Sequence, residues 1–116
     1  MRRILLDITA RFDTVAVVNT SFTSFGRLAA DRYGVLINQA YRDLAMDPER
    51  VGAKPFENGI YLYHLRNSRK GTPPPDRVAR PRHLIAYRFD DEMIQIIRLL
   101  HDRMDVAAHV QGVRNR

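Results

Sequence analysis

Apolar positions recur at helical spacing in the first half of the chain and at strand spacing in the second. Arg3 to Leu6, in "RILLDI", reads as a brief opening strand. Thr9 can then cap a helix by accepting a hydrogen bond from a first-turn backbone N–H. Phe12, Val15, Val18 or Asn19, Phe22 and Phe25 mark that helix's apolar stripe, and Gly26 is its natural stop. The β-branched residues Thr14, Val15, Val17, Val18, Thr20 and Thr23 oppose helix formation in the same stretch. A second helix is clearer. Ala29, Tyr33, Leu36, Ile37, Ala40, Tyr41 and Leu44 form one stripe, Arg27, Asp31, Asn38, Arg42 and Asp43 the polar face, and the helix ends before Pro48. Two helices joined so closely should form an antiparallel hairpin.

"DPERVGAKPFENG" is a loop by its Pro, Gly and Asn content. Ile60 to Leu65, "IYLYHL", reads as a strand. Three consecutive prolines in "RNSRKGTPPPDRVARP" preclude a sheet ladder and favour a stiff extended segment. "RHLIAYRF" is the next strand, the aspartates at 90 and 91 a two-residue turn, and "EMIQIIRLL" the third strand. Met93, Ile97, Leu100 and Met104 also fit a helix capped by Asp90 or Asp91; isoleucine-rich runs on both sides of an acidic turn favour strands. The tail from about Asp102 to Val110 can be helical, and "QGVRNR" is expected to fray. The expected fold is α+β: an antiparallel sheet packed against an N-terminal helical hairpin, with a short C-terminal helix.

Composition narrows the class. The chain has 116 residues, enough for one domain with one modest core. It has no cysteine, which excludes disulfides and thiolate metal sites and fits a reducing cytoplasm. Met1-Arg2-Arg3 is followed by only three apolar residues before Asp7, unlike a signal peptide, and no apolar run is long enough for a membrane span. The net charge is +6, and its placement matters more than its size. Between Arg66 and Arg82 lie Arg66, Arg69, Lys70, Arg77, Arg80 and Arg82 with one acid, Asp76, so six cations against one anion leave +5 in that loop. Such a cluster fits an anionic partner, nucleic acid or an acidic protein, as well as it fits a solvated loop.

The order of elements and several stretches resemble a known family. "FGRLAADRYGVLINQAYRDLAMDPERVGAK" is similar to the second-helix region of ParE toxins, within the RelE/ParE superfamily of toxin–antitoxin systems. "YLYHLRNSR", "RHLIAYRF" and "IIRLLHDRMD" resemble its three antiparallel strands in order and spacing. The Val- and Thr-rich "RFDTVAVVNTSFTS" departs from the family's usual Ala-, Glu- and Leu-rich first helix. The resemblance implies the toxin of a type II system, of the kind that stabilises plasmids and arrests growth, neutralised by a ParD-like antitoxin with an acidic tail. ParE-type members inhibit DNA gyrase and so replication; RelE-type members cut messenger RNA on the ribosome. Fold alone does not choose between them.

The chemistry of the two readings differs. RNA cleavage by a 2′-hydroxyl needs a base, a proton donor and cations around the phosphate, for which Arg88, Arg98 and His101 are the candidates. Asp102 and Asp105 beside His101 would repel that phosphate, and "LHDRMD" resembles the ParE ending better. A gyrase-binding toxin needs no catalytic residue or cofactor. Arg98, His101, Arg103 and Met104 would then form a target-binding surface, with Asp102 and Asp105 capping the last helix and holding Arg103. Arg66, Arg69, Lys70, Arg82, Tyr61 and Tyr63 are the candidate antitoxin contacts. An inactive toxin that still binds its antitoxin is a third possibility. His101, Asp105 and His109 sit at i, i+4 and i+8 and would suit a metal on one helix, but strand closure, capping and solvation account for them more simply.

Overall fold

The computed structural model describes residues 1–75 and 77–110. The elements run β1 (Arg3–Leu6), α1 (Ile8–Phe25), α2 (Arg27–Met46), β2 (Lys54–Pro55), β3 (Tyr61–His64), a 3₁₀ helix (Leu65–Gly71), β4 (His83–Phe89), β5 (Met93–His101) and α3 (Val106–Val110). One sheet has the order β1-β5-β4-β3-β2. The helical hairpin packs on one of its faces, over a core that includes Leu36, Ile37, Leu44, Tyr63, Ile85, Tyr87, Ile94, Ile96 and Leu99. On the other face Ile60, Ala86, Ile97, Leu100 and Val110 make a smaller core, with Val106 packed against it.

The strand reading of "EMIQIIRLL" holds, and its near-continuous apolar run has a specific cause. Tyr87 pairs with Ile96 but Ala86 with Arg98, so Ile97 is an extra residue, a β-bulge. Ile94 and Ile96 point to the helices, whereas Ile97 and Leu100 feed the second core. A strand covered on both faces loses the alternation that a half-exposed strand shows.

The sheet is antiparallel from β2 to β5, but β1 joins β5 in parallel, making it mixed. β1 is attached at both ends: Arg3 N–H donates to the Glu92 carbonyl at 2.9 Å and Asp7 N–H to the Ile96 carbonyl at 3.0 Å. Its four residues carry no signal of direction, so the sequence could not reveal this. Three local details also differ from expectation. Helix α1 starts two residues early, with Asp7 rather than Thr9 at its N-cap, and the Asp7 carboxylate accepts from Gln95 Nε2 at 2.7 Å. The β4–β5 turn centres on Asp91 and Glu92, because the Asp90 carboxylate takes the N–H groups of Glu92 and Met93. The start of the basic loop is helical rather than extended.

Gly26 separates the two long helices with φ 92° and ψ 178°, a region open essentially to glycine alone. The helix it terminates is inverted. Ala10, Thr14, Val17 and Ser21 face the protein, with Ala10 fully buried, while Ile8, Phe12, Val15 and Phe22 are 70%, 69%, 58% and 55% exposed. The bulky stripe that identifies α1 in the sequence therefore points away from the core. Small inward residues let α1 lie close on α2 and β5.

Candidate functional site

The C-terminal end of β3, the start of β4 and the end of β5 meet at one edge of the molecule, and they bring three of the four histidines together. His83 pairs with His101 across the β4–β5 ladder, and their rings sit edge to face with centroids 5.2 Å apart. Asp102 follows immediately and ties the strands together. One carboxylate oxygen accepts from His64 Nε2 at 3.0 Å and the other from Arg82 Nη2 at 3.0 Å, while its backbone N–H donates to the Arg82 carbonyl. Burial pushes the Asp102 carboxyl up, but the bonds from His64 and Arg82 outweigh it and hold the group below the usual carboxylate range.

Backbone contacts assign the imidazole protons. His64 Nδ1 accepts from Arg66 N–H and His101 Nδ1 from Arg103 N–H, each at 3.1 Å, so the proton of either neutral ring is on Nε2. His101 Nδ1 also lies 3.6 Å from Asp102 Oδ1, but a nitrogen that accepts from Arg103 has no proton to give it. Tyr33 O–H accepts from Arg82 N–H at 3.0 Å and donates to His83 Nδ1 at 2.7 Å. Desolvation, aided by repulsion from His101, pushes His83 down to about 4, so it is neutral at physiological pH.

Beside this cluster a cleft of about 790 Å³ runs between α1, α2, the segment 77–82 and the end of β5. Its walls are largely apolar, with Val17, Ala29, Val78, Leu99 and Met104, and Arg77, Arg80 and Arg82 line it from the loop side. The loop is held in place by its own cations. Arg69 Nε donates to the Val78 carbonyl at 2.6 Å, and Arg77 donates to the carbonyls of Thr72 and Lys70 at 2.8 and 3.0 Å. Part of the +5 charge thus replaces the regular hydrogen bonding that three prolines preclude.

The family model for the ParE toxin of the type II toxin–antitoxin system parDE matches residues 3–106. The chain belongs to the ParE toxin family. A solved chromosomal ParDE toxin–antitoxin system from P. aeruginosa contains a similar chain. The TM-score is 0.65 at 17% identity, covering 87% of this chain and 96% of that one, a likeness of fold. No curated protein matches.

Within this ParE toxin the residues singled out from sequence separate. Arg98 is bound to Asp13 of α1 by two hydrogen bonds, Nε at 2.7 Å and Nη2 at 3.0 Å, and Asp13 also accepts from Leu99 N–H. The paired carboxylate raises the Arg98 pKa further. Arg98 is therefore paired within the fold, with about a fifth of its side chain exposed. Arg88 bonds Gln95 at 2.8 Å and lies five residues along β4 from the His83–His101 pair, about 16 Å away. Arg88, Arg98 and His101 do not converge. His101 and Met104 line the cleft, and Arg103 is exposed beside them.

Among the expected antitoxin contacts, Arg66, Lys70 and Arg82 are exposed and Tyr61 is half-buried against Tyr87 and Phe89. Tyr63 is fully buried, its hydroxyl on Ser68 at 2.8 Å, so it serves the core and not a partner. Arg69 is committed to its own loop. Asp105 caps α3 as expected, accepting from Ala108 N–H, whereas Asp102 neither caps it nor holds Arg103. His101 ends a strand while Asp105 and His109 belong to the α3 region, so the three do not share the helix face a metal site would need. "QGVRNR" lies outside the described residues.

Sequence reasoning missed Asp13, which had a signal: a carboxylate on the same face as Ala10 and Val17 requires a cation. Tyr33 and the cleft had none, because both depend on how the loop folds back over the hairpin.

Proposed function

We propose that this ParE toxin acts by binding DNA gyrase, and so blocks replication, without chemistry of its own. The observation that supports this most is the commitment of the would-be catalytic groups to structure. Arg98 neutralises Asp13, His101 Nδ1 accepts a backbone N–H, and Arg88 lies at the far end of the hairpin. Asp102 adds negative charge where an RNA phosphate would have to sit. The remaining features suit a contact surface. Half-buried His101 and exposed Met104 line the cleft and exposed Arg103 lies beside them, offering imidazole, thioether and cation.

The partner that silences it is a ParD-like antitoxin with an acidic amphipathic tail. Its apolar face fits the cleft, and its acids meet Arg80 and Arg82, with Arg66 and Lys70 on the adjacent 3₁₀ helix. Because His101 and Met104 share that cleft, an occupied cleft withholds them from the target. Among the described residues no helix is long and apolar enough to cross a membrane; the site of action is the cytoplasm, where gyrase lies. The test is a pair of assays on the purified chain: gyrase supercoiling, and cleavage of mRNA on ribosomes. Inhibition of supercoiling with intact mRNA supports the reading. Cleaved mRNA with unaffected gyrase assigns the RelE activity instead, and silence in both with antitoxin binding retained marks an inactive toxin.

A further inference from the structure

Among the described residues nothing covers the outward stripe of α1. Ile8, Phe12, Val15, Asn19 and Phe22 are spaced 4-3-4-3, which places all five on one seam along the helix. Each of the four apolar members is more than half exposed. Soluble proteins rarely leave such a row open. Meanwhile the inner face of α1 is built from small residues, so the stripe is not a core surface left over from loose packing.

We propose that this face binds the same face of a second copy of the chain, as a twofold pair of α1 helices. Three features select that occupant over an acidic antitoxin tail. First, the spacing is that of a two-helix seam, with Phe12 and Asn19 at one repeated position and Ile8, Val15 and Phe22 at the other. A lone asparagine on such a seam fixes register between like helices. Second, charge fits like with like. The flanking residues Thr9, Ala16, Val18 and Thr23 are uncharged, and Asp13 is turned inward to Arg98. Arg11 is the only cation flanking the seam, so an acidic tail finds little to pair with here, whereas two copies meet without a row of like charges. Third, the area is of the right order. The four side chains offer on the order of 450 Å² of apolar surface per protomer, more than half of the roughly 800 Å² per partner of stable pairings, the flanking α1 residues adding to it. The arrangement is isologous and closed, so it makes a dimer rather than a filament. It leaves the cleft on the other side of α1 open, and it holds whichever target the toxin has.

Val15 lies seven residues from both Ile8 and Phe22. A twofold pairing centred on the seam therefore brings it opposite its own copy, whether the helices run parallel or antiparallel. The chain has no cysteine, so Val15→Cys in the full chain reports this contact alone. Under mild oxidation it is expected to form a covalent dimer in high yield, while Asn38→Cys on the exposed face of α2 does not. In a dilution series by analytical ultracentrifugation, the unmodified chain is expected at twice the monomer mass. Phe12→Glu with Phe22→Glu is expected to halve that mass with an unchanged circular dichroism spectrum, since both side chains are outside the core. A monomer at every concentration overturns the proposal, as does a dimer that survives the double substitution. Loss of antitoxin affinity in the double variant, with the unmodified chain monomeric, assigns the stripe to the antitoxin instead.

Discussion

Asp13 and Arg98 stand 85 residues apart in sequence and bind each other through two parallel hydrogen bonds, with 16% and 22% of their side chains exposed. The pair fastens α1 to β5. Asp13 also takes the Leu99 backbone N–H just beyond the bulge, where the ladder is irregular.

Asp13→Ala should accordingly destabilise the fold by about 2–4 kcal/mol, because it strands a largely buried guanidinium and a backbone donor together. Replacing both partners, Asp13→Leu with Arg98→Met, should recover much of that loss. Urea unfolding of the two variants beside the parent chain measures both effects. Equal stability of Asp13→Ala and the parent would show that the pair contributes nothing.

His83 predicts a pH dependence with a definite sign. Its folded pKa of about 4 lies below its ordinary 6.5, so the unfolded chain binds the proton more readily than the folded one. Stability from this group is fully present above about pH 6.5 and falls as pH drops towards 4. Unfolding measured between those limits should take up as much as one extra proton. In His83→Gln that part of the slope should vanish. A slope unchanged by the substitution would mean that His83 titrates alike in both states.

Arg80→Glu with Arg82→Glu should weaken antitoxin binding by at least tenfold and flatten its dependence on salt, because both side chains line the cleft on its loop side. Tyr63→Phe should instead lower stability by about 1 kcal/mol through the lost Ser68 bond and leave affinity unchanged. Isothermal titration at two ionic strengths separates these outcomes. Affinity that is independent of the two arginines would move the antitoxin to another face.

What the sequence made legible was periodicity, and what it concealed was direction and partnership. Leu36, Ile37, Tyr41 and Leu44 identified α2 and its buried face together, because a helix with one neighbouring core needs one apolar stripe. In α1 the same logic located the helix but assigned it the wrong interior. Phe12, Val15 and Phe22 gave the period, while the face that packs is made of Ala10, Thr14 and Ser21, residues small enough to carry no hydrophobic signal. The cluster of basic residues was visible, but not its division into Arg69 and Arg77, which hold the loop, and Arg66, Lys70 and Arg82, which are exposed. That division depends on carbonyls of the proline-rich segment, whose path no residue pattern encodes. His101 was visible in the sequence as a candidate. Its partnership with Arg103 N–H, which decides what it can do chemically, is a consequence of the turn after β5.

The central claim is that "LHDRMD" works as a surface and not as an active site. Gyrase supercoiling and growth arrest for His101→Ala, Arg103→Ala and Met104→Ala, each checked for folding, test it most directly. A contact surface predicts graded losses shared among the three, on the order of threefold to a hundredfold each, with no single residue indispensable. Abolition by His101→Ala alone, by several orders of magnitude with target binding retained and with mRNA cleavage by the parent chain, would contradict the account and make His101 a catalyst.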